Sequence, residues 1–351
     1  MKFRSAPGLL AYAVSVVFIY HFGVSPFCLF ANDLYFRHVL CPLVKSKDAL
    51  IGDNRRMLGL YRPELPFSFS GLRHFEDGTS ADVSIVSFYQ AWGDANGNEF
   101  KSDVMRKLSD NNLIPMITWE PWISAFHKYL GNVSDSSTAK IASGEFDYYI
   151  RRFALDAVEY GKPFFIRPFH EPSNPEYLWG SCYKNSPEMY KKAWRHVVEI
   201  FRETGTVNAA FVWSPRGICD TAYYPGTEYV DWIGLDIFNF GTIYGQKQWL
   251  SFSEIVSPYK SFLGRTGKPL MISEVGCVPV GGDRPLWYAD MFRALGSEDN
   301  MFRAVVLFDN PAARVPGGYH IDLGFSTDTS AGSRLSTQVF TGSGFRIVGE
   351  E

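Results

Sequence analysis

Eight short apolar runs, separated by longer amphipathic stretches, constrain the fold of this chain more than any other feature. The runs are rich in Val, Ile and Phe and almost continuously apolar, which is typical of strands covered on both faces in a parallel sheet. They are residues 57–61, 83–89, 114–119, 163–169, 209–215, 231–238, 269–276 and 302–309. Eight strands alternating with helices predict an α/β fold, a (β/α)8 TIM barrel formed by a single domain.

The stretches between these runs contain helix signals. Candidate helices span residues 100–111, 145–160, 186–204, 253–264 and 285–294. Ser186 followed by Pro187 is a typical helix start, and Gly161 and Gly205 are suitable helix ends. An open doubly wound sheet is the main alternative, but no Gly-rich phosphate turn follows the first run. The barrel therefore remains the preferred prediction.

The amino terminus differs from the rest of the chain. Lys2 and Arg4 precede residues 8–31, which contain no Asp, Glu, Lys or Arg. This pattern predicts a signal peptide cleaved near Ala31 or an uncleaved membrane anchor, with a buried core helix as the alternative. Residues 32–54 would be a connector and 55–351 the barrel domain. Either kind of leader predicts an exported domain that is secreted, periplasmic or membrane-anchored.

Composition excludes several classes of partner. The net charge is −3 and no Lys/Arg stripe is present, so nucleic-acid binding is not expected. No CxxC or HxxxH spacing occurs, so we expect neither a metal site nor a cofactor. Of the five cysteines, Cys182 and Cys219 would lie in neighbouring loops and form a disulfide or remain free thiols. We expect a monomer.

Polar and aromatic residues follow the predicted strands at their carboxyl ends, where the chemistry of such barrels is located. Carboxylates at these positions suit sugar hydroxyls, and aromatic rings suit the apolar faces of sugars, although many rings must belong to the core. The pattern predicts a site for a large, neutral, hydroxyl-rich ligand. Its candidate residues are Tyr89, Trp92, Trp119, Glu120, Arg167, His170, Glu171, Trp179, Trp213, Asp236 and Glu274.

Two glutamates have the arrangement that glycoside hydrolysis requires. Glu171 lies two residues after the fourth run and Glu274 lies near the end of the seventh, so the ring would bring them to opposite walls of one cleft. Hydrolysis needs a carboxylic acid that protonates the leaving oxygen and a carboxylate on the other side of the anomeric carbon. Burial and like charge would raise the pKa of the acid, while Arg167 would keep the nucleophile ionised. For either glutamate alone, a structural salt bridge is the alternative interpretation.

Several segments carry a resemblance to a known family. In chain order, the segments ITWEPW, RPFHEP with Trp179-Gly180 after it, VWSP, EYVDWIGLDIFN and PLMISEVG resemble those of glycoside hydrolase family 26, over about residues 55–310. The resemblance implies retaining hydrolysis of a β-linked polysaccharide, most often β-1,4-mannan or glucomannan and less often β-glucan or β-xylan. It implies that Glu171 is the acid/base and Glu274 the nucleophile, with Arg167 and His170 supporting them. Glu120, Trp179, Trp213 and Asp236 would line the cleft.

The sequence also departs from this family pattern. Phe238 stands where a tyrosine hydroxyl usually reaches the nucleophile, so Tyr89 or Tyr244 would have to replace it. Phe308 stands where tryptophan is common in this family. The segment PSNPEYLWG, which follows the predicted acid/base, also differs from the segment usual in the family. Two other functions therefore stay open: a hydrolase that processes the cell's own exopolysaccharide, and a glycan-binding barrel without catalysis.

Overall fold

Eight parallel strands form a closed barrel in sequence order, as predicted. The protein is represented by a computed structural model that describes residues 44–93, 98–122, 137–181, 185–243, 248–297, 299–314 and 320–325. The strands are β1 Met57–Tyr61, β2 Val83–Ala91, β3 Ile114–Glu120, β4 Phe164–Pro168, β5 Ala209–Trp213, β6 Trp232–Asn239, β7 Leu270–Cys277 and β8 Phe302–Phe308. Strand β1 pairs with β8 and closes the ring.

The apolar runs form strands because both of their faces are buried. Alternate residues such as Ile85, Phe165 and Val306 point into the barrel and pack together there. Their neighbours, such as Val86 and Ile166, pack outward against the helices. This double burial explains why the strands read as continuous apolar runs rather than alternating ones.

Helices surround the strands, and the first of them packs its Leu50 against the apolar interior of the barrel. They are α1 Asp48–Ile51, α2 Ser70–Thr79, α3 Ser102–Asp110, α4 Ser137–Ala142, α5 Asp147–Tyr160, α6 Pro187–Glu203, α7 Phe252–Val256, α8 Lys260–Thr266 and α9 Arg284–Gly296. Ser186 caps α6, since its side chain accepts a hydrogen bond from the Met189 amide. Gly161 ends α5 with a φ of 75°, a left-handed conformation that suits glycine.

The structure differs from the predicted helices and strands at several places. The helix predicted at 253–264 is divided into α7 and α8 by a 3-10 turn at Ser257–Tyr259 that contains Pro258, whose ring lacks an amide hydrogen. Helices α1, α2 and α4 were not predicted. A two-stranded sheet, β9 Ala313–Arg314 with β10 His320–Ile321, was also not predicted, because two-residue strands carry no periodic signal.

The short β9–β10 sheet packs over the carboxyl ends of β6 to β8. Ala313, Ile321 and Leu323 form a small apolar cluster with Val278, and Phe238, Phe240, Ile243 and Phe308 pack against it. This cluster places a partly aromatic wall beside the barrel mouth. It therefore contributes directly to the shape of the candidate site.

Some predictions fall outside the described residues. These include the leader at 1–31, most of the connector, Cys182 and Tyr244. Within the described ranges, no helix is both long and apolar enough to cross a bilayer. Cys219 and Cys277 are free thiols there, and no group of three or more metal-ligating side chains is found in this part of the chain.

Candidate active site

Glu171 follows β4 in an unusual backbone conformation. Both Phe169 and Glu171 have a φ of 48°, which is uncommon for residues other than glycine and costs free energy. Three hydrogen bonds hold the segment between them. The Tyr190 hydroxyl donates to the Phe169 carbonyl at 2.7 Å, the Trp179 indole donates to the His170 carbonyl at 2.7 Å, and the Glu171 amide donates to the Ser214 carbonyl at 2.8 Å. The surrounding shell thus fixes the direction of the Glu171 side chain.

The environment of Glu171 favours its protonated form. The side chain is buried, and its Oε2 accepts a hydrogen bond from Asn174 Nδ2 at 2.6 Å. Burial, followed by the negative charge of Glu274, raises its pKa to about 7, while Arg216, Asn174 and Arg167 act to lower it. A carboxyl group of this kind can donate a proton near neutral pH.

Glu274 lies on β7 and is held by two donors from other strands. Arg167 Nη2 and the Tyr89 hydroxyl both donate to Glu274 Oε1. Arg167 is fully buried and also donates to Thr118 Oγ1 through Nε at 3.1 Å and through Nη2 at 2.9 Å. Burial acts to lower the pKa of Arg167, but the charges of Asp236 and Glu274 raise it well above its usual value. A permanent cation therefore lies against the Glu274 carboxylate.

Asp236 completes this buried charge cluster. It lies opposite Glu274 in the β6–β7 pairing, where the register shifts by one residue. Arg167 Nη1 donates to both of its oxygens, at 2.7 and 2.9 Å, and Ser273 Oγ donates to Oδ1 at 2.7 Å. Gly234 permits the close approach of the serines behind it, because a Cβ there would collide with Ser214 Oγ and Ser273 Oγ. Asp236 thus holds Arg167 through Nη1, while Glu274 accepts a hydrogen bond from Nη2.

His170 lies directly beside these charges but is not itself charged. Burial, and then the nearby Arg167 cation, lower its pKa well below the usual value. Its Nε2 shares a hydrogen bond with the Tyr177 hydroxyl at 3.0 Å. A neutral His170 therefore positions Tyr177, which lines the cavity next to Glu171.

Glu120, at the end of β3, is a fourth acidic group, after Glu171, Glu274 and Asp236. Burial raises its pKa to about 7, although the Trp122 indole, which hydrogen-bonds to its side chain, acts to lower that pKa. The described residues that line the cavity do not include Glu120. The structure therefore places it near Arg167 and Glu274 rather than on the cavity wall.

Both glutamates open onto one cavity of about 470 Å³ at the carboxyl ends of the strands. Seven of its lining side chains are aromatic and seven are charged or amide groups. Tyr61 stacks on Phe308 with ring centroids 4.5 Å apart, and Phe238 stacks on Phe240 at 5.6 Å. Other lining residues are Tyr89, Asn174, Tyr177, Arg216, Asp236, Tyr259, Asn310 and Arg314. Such a mixture of rings and polar groups suits a sugar ligand.

Four of the tryptophans predicted at the site lie in the packed shell around it. Trp92, Trp119, Trp179 and Trp213 are all fully buried, so no ring face is open to a ligand. Trp119 stacks on Phe153 at 4.4 Å, and Trp213 packs against Tyr224 and Phe262. These four tryptophans are buried behind the strand ends and support the site by packing. Tyrosine and phenylalanine rings line the cavity instead.

Sequence reasoning missed several residues of the cavity. Tyr61, Arg216 and Tyr259 were not singled out, and neither were Asn174 and Tyr177, although both belong to the quoted PSNPEYLWG segment. Tyr61 ends β1, so the strand-end rule would have found it. Tyr259 lies in the 3-10 turn between α7 and α8, and no local pattern predicts that this turn reaches the cavity.

The site contains one glutamate that can carry a proton near neutral pH and a second glutamate that is bound to an arginine. Both lie at the carboxyl ends of a parallel eight-stranded barrel. This combination defines a class of barrel proteins with a pair of carboxyl groups in the site. Comparison with known proteins agrees with this class. Residues 126–267 match the family model described as glycosyl hydrolase family 26. Endoglucanase H of Acetivibrio thermocellus is 34% identical over 253 residues, which are 69% of this chain and 26% of that protein. The chain thus spans about a quarter of the length of this relative.

Two further comparisons concern mannan enzymes. A mannan endo-1,4-β-mannosidase of Bacillus subtilis is 36% identical over 87 residues, covering 21% of this chain and 22% of that one. The catalytic domain of an endo-β-1,4-mannanase from Bacillus sp. JAMB-750 has the same fold, with a TM-score of 0.61 and 18% identity over 88% of this chain and 91% of that chain. The chain belongs to glycoside hydrolase family 26.

Proposed function

We propose that the protein is a retaining endo-β-glycanase that hydrolyses β-1,4-mannan or glucomannan. The observation that carries this proposal is the shared cavity of Glu171 and Glu274. One carboxyl has a pKa raised to about 7, while the other is paired with the buried cation Arg167. Two carboxyl groups in these opposite states are what double displacement at an anomeric carbon requires.

In the first step, the Glu171 carboxyl protonates the glycosidic oxygen as the bond to the anomeric carbon breaks. Glu274 attacks the same carbon and forms a covalent glycosyl ester. Among the described residues, both donors to Glu274 converge on Oε1, so Oε2 is the oxygen left for this attack. Glu171 is ionised at the end of the step.

In the second step, the Glu171 carboxylate removes a proton from water, and the water oxygen attacks the anomeric carbon. The bond between that carbon and Oε2 of Glu274 breaks, and its electron pair returns to the Glu274 carboxylate. Two inversions give a product with the starting configuration. Asn174 hydrogen-bonds to Glu171 Oε2 and keeps the side chain in place as its proton leaves and returns.

The choice of polymer is supported by the relatives. The Bacillus subtilis relative is a mannan endo-1,4-β-mannosidase, which favours mannan or glucomannan as substrate. β-Glucan is the second candidate, because the relative that matches 69% of this chain is an endoglucanase. The aromatic wall of Tyr61, Phe308 and Phe238 would stack on the sugar faces of either polymer.

We also propose that the barrel domain acts outside the cytoplasm, as a secreted, periplasmic or membrane-anchored monomer. Support comes from the uncharged segment 8–31 after Lys2 and Arg4. Cell fractionation of the full chain tests this proposal, and recovery of the protein in the cytoplasm would contradict it.

The function is tested by measuring reducing-sugar release by the purified protein on galactomannan, glucomannan, mixed-linkage β-glucan, xylan and a bacterial exopolysaccharide. The variants are Glu171→Gln and Glu274→Gln, and Glu159→Gln on the exposed surface of α5 is the matched control. We expect both site variants to abolish turnover and the control to retain it. Proton NMR of the first-formed product should show the β-anomer.

Other outcomes redirect the proposal. Cleavage of β-glucan but not of mannan would select the second candidate. Binding of oligosaccharides with no turnover of any polymer would indicate a glycan-binding barrel. An α-anomer as first product would rule out double displacement, even if both glutamates were essential.

A further inference from the structure

We infer that Tyr89 is a positioning residue for Glu274 that acts mainly in breakdown of the glycosyl ester. The inference rests on the proposed function and goes beyond it. It states that the Tyr89 side chain affects the formation and the breakdown of the glycosyl ester to different extents. Its basis is a convergence of donors. The Tyr89 hydroxyl and Arg167 Nη2 donate to the same atom, Glu274 Oε1, and no described residue donates to Oε2.

The Tyr89 hydroxyl reaches Glu274 from a distant strand. Tyr89 lies on β2 and Glu274 on β7, 185 positions further along the chain. The Tyr89 ring makes an edge contact with Tyr61 at 5.2 Å and with His170 at 6.0 Å. Because a ring held from two sides has little freedom to turn, its hydroxyl points at one fixed position. Burial raises the pKa of Tyr89 well above its usual value, so the hydroxyl remains a donor.

Strand β6, which pairs with β7, does not provide a hydroxyl donor to Glu274 at Phe238. Phe238, on β6, lines the same cavity and lies opposite Gly276 in the β6–β7 pairing. Its ring packs edge-on against Phe308 at 5.5 Å and carries no polar atom. Tyr89 is therefore the neutral hydroxyl donor that the described part of the site provides to Glu274.

The two chemical steps use this donor differently. Before the first step Glu274 is a carboxylate, and its charge decreases as Oε2 bonds to the anomeric carbon. In the ester, Oε1 is a neutral carbonyl oxygen. As the carbon–Oε2 bond breaks in the second step, negative charge returns to the carboxylate and the hydrogen bond from Tyr89 strengthens. A donor that binds the departing carboxylate more tightly than the ester lowers the barrier of the second step.

The test is Tyr89→Phe, which keeps the ring and removes only the hydroxyl. The substrate is 2,4-dinitrophenyl β-mannobioside, or the β-cellobioside if the wild type cleaves only β-glucan, because this leaving group makes the second step rate-limiting. We expect kcat to fall about 10- to 100-fold, the effect of losing a hydrogen bond to a charged group. The apparent KM should fall with it, since the ester accumulates. Intact mass spectrometry should then show the protein carrying one glycosyl unit.

A merely structural role would give a different pattern. Tyr160→Phe, at the end of α5 outside the cavity, is the control for loss of a tyrosine hydroxyl, and we expect wild-type kcat and KM for it. Thermal unfolding checks that both variants are folded. Wild-type kcat in Tyr89→Phe, or a raised KM with unchanged kcat and no covalent species, would overturn the inference while leaving the proposed function intact. An inactive wild type, or an active Glu274→Gln variant, would overturn both.

Discussion

At the scale of single residues, environment makes two glutamates chemically different. Glu171 is buried near the negative charge of Glu274, and its pKa is raised to about 7. Glu274 instead contacts Arg167, which two further groups, Thr118 and Asp236, hold in place. The same side-chain type can thus serve as a proton donor and as a nucleophile within one cavity.

The raised pKa of Glu171 predicts the pH dependence of activity. The first step needs this carboxyl protonated, so kcat/KM should decrease as pH rises through about 7. Arg216 acts to lower this pKa, so Arg216→Gln should move the alkaline limb to higher pH and raise the ratio of activity at pH 8 to that at pH 6 by about two- to tenfold. The measurement is a pH profile of kcat/KM beside an exposed-arginine control, Arg106→Gln. A limb that moves to lower pH would contradict the assignment.

At the scale of the elements, the site depends on close contacts between neighbouring strands. Strand β6 approaches β5 and β7 closely at Gly234, where Ser214 and Ser273 hydrogen-bond to each other at 2.9 Å. Ser273 in turn donates to Asp236, which orients Arg167. A backbone position without a side chain therefore determines the geometry of the charge cluster.

Gly234→Ala tests this dependence. The added Cβ would collide with both serine hydroxyls, so we expect a loss of about 1 to 3 kcal/mol in the free energy of unfolding and a lower kcat. Gly264→Ala is the matched control, because nothing lies within 4 Å of a Cβ at that position of α8. Alanine there should stabilise the helix by about 0.5 to 1 kcal/mol. Both variants are compared with the wild type by urea unfolding and by their kcat values. Equal stability of the two variants would show that β6 can shift to accommodate the added Cβ.

At the scale of the whole molecule, the site is maintained at a cost in stability. Phe169 and Glu171 adopt φ values of 48°, and Glu171 and Glu120 are acids with pKa values raised to about 7 in the folded state. An acid whose pKa is higher in the folded state binds more protons there than in the unfolded chain. The free energy of unfolding therefore decreases as pH rises from about 4.5, the pKa of glutamate in the unfolded chain, through about 7, its pKa in the folded protein.

Glu171→Gln should consequently be more stable than the wild type at alkaline pH. At pH 8 the substitution removes a buried negative charge, and we expect a gain on the order of 1 to 3 kcal/mol, which amounts to several degrees in Tm. At pH 5 the wild-type side chain is already protonated, so the difference should be small. Calorimetry at both pH values measures this, with Glu159→Gln as the surface control. A variant less stable than the wild type at pH 8 would contradict the raised pKa.

The sequence by itself determined the barrel, the order of its strands and the positions of Glu171 and Glu274 at the carboxyl ends of β4 and β7. Eight apolar runs were sufficient because a strand buried on both faces leaves a local signal, and a strand end marks the catalytic edge in every barrel of this kind. Only the tertiary structure decided which rings face the cavity: Trp119 and Trp213 are buried, whereas Tyr61 and Tyr259 line it. Local patterns could not separate these roles, since an aromatic residue has the same local sequence features in either place. The contact of Tyr89 with Glu274 likewise exists only because closure of the barrel brings β2 and β7 to one cavity.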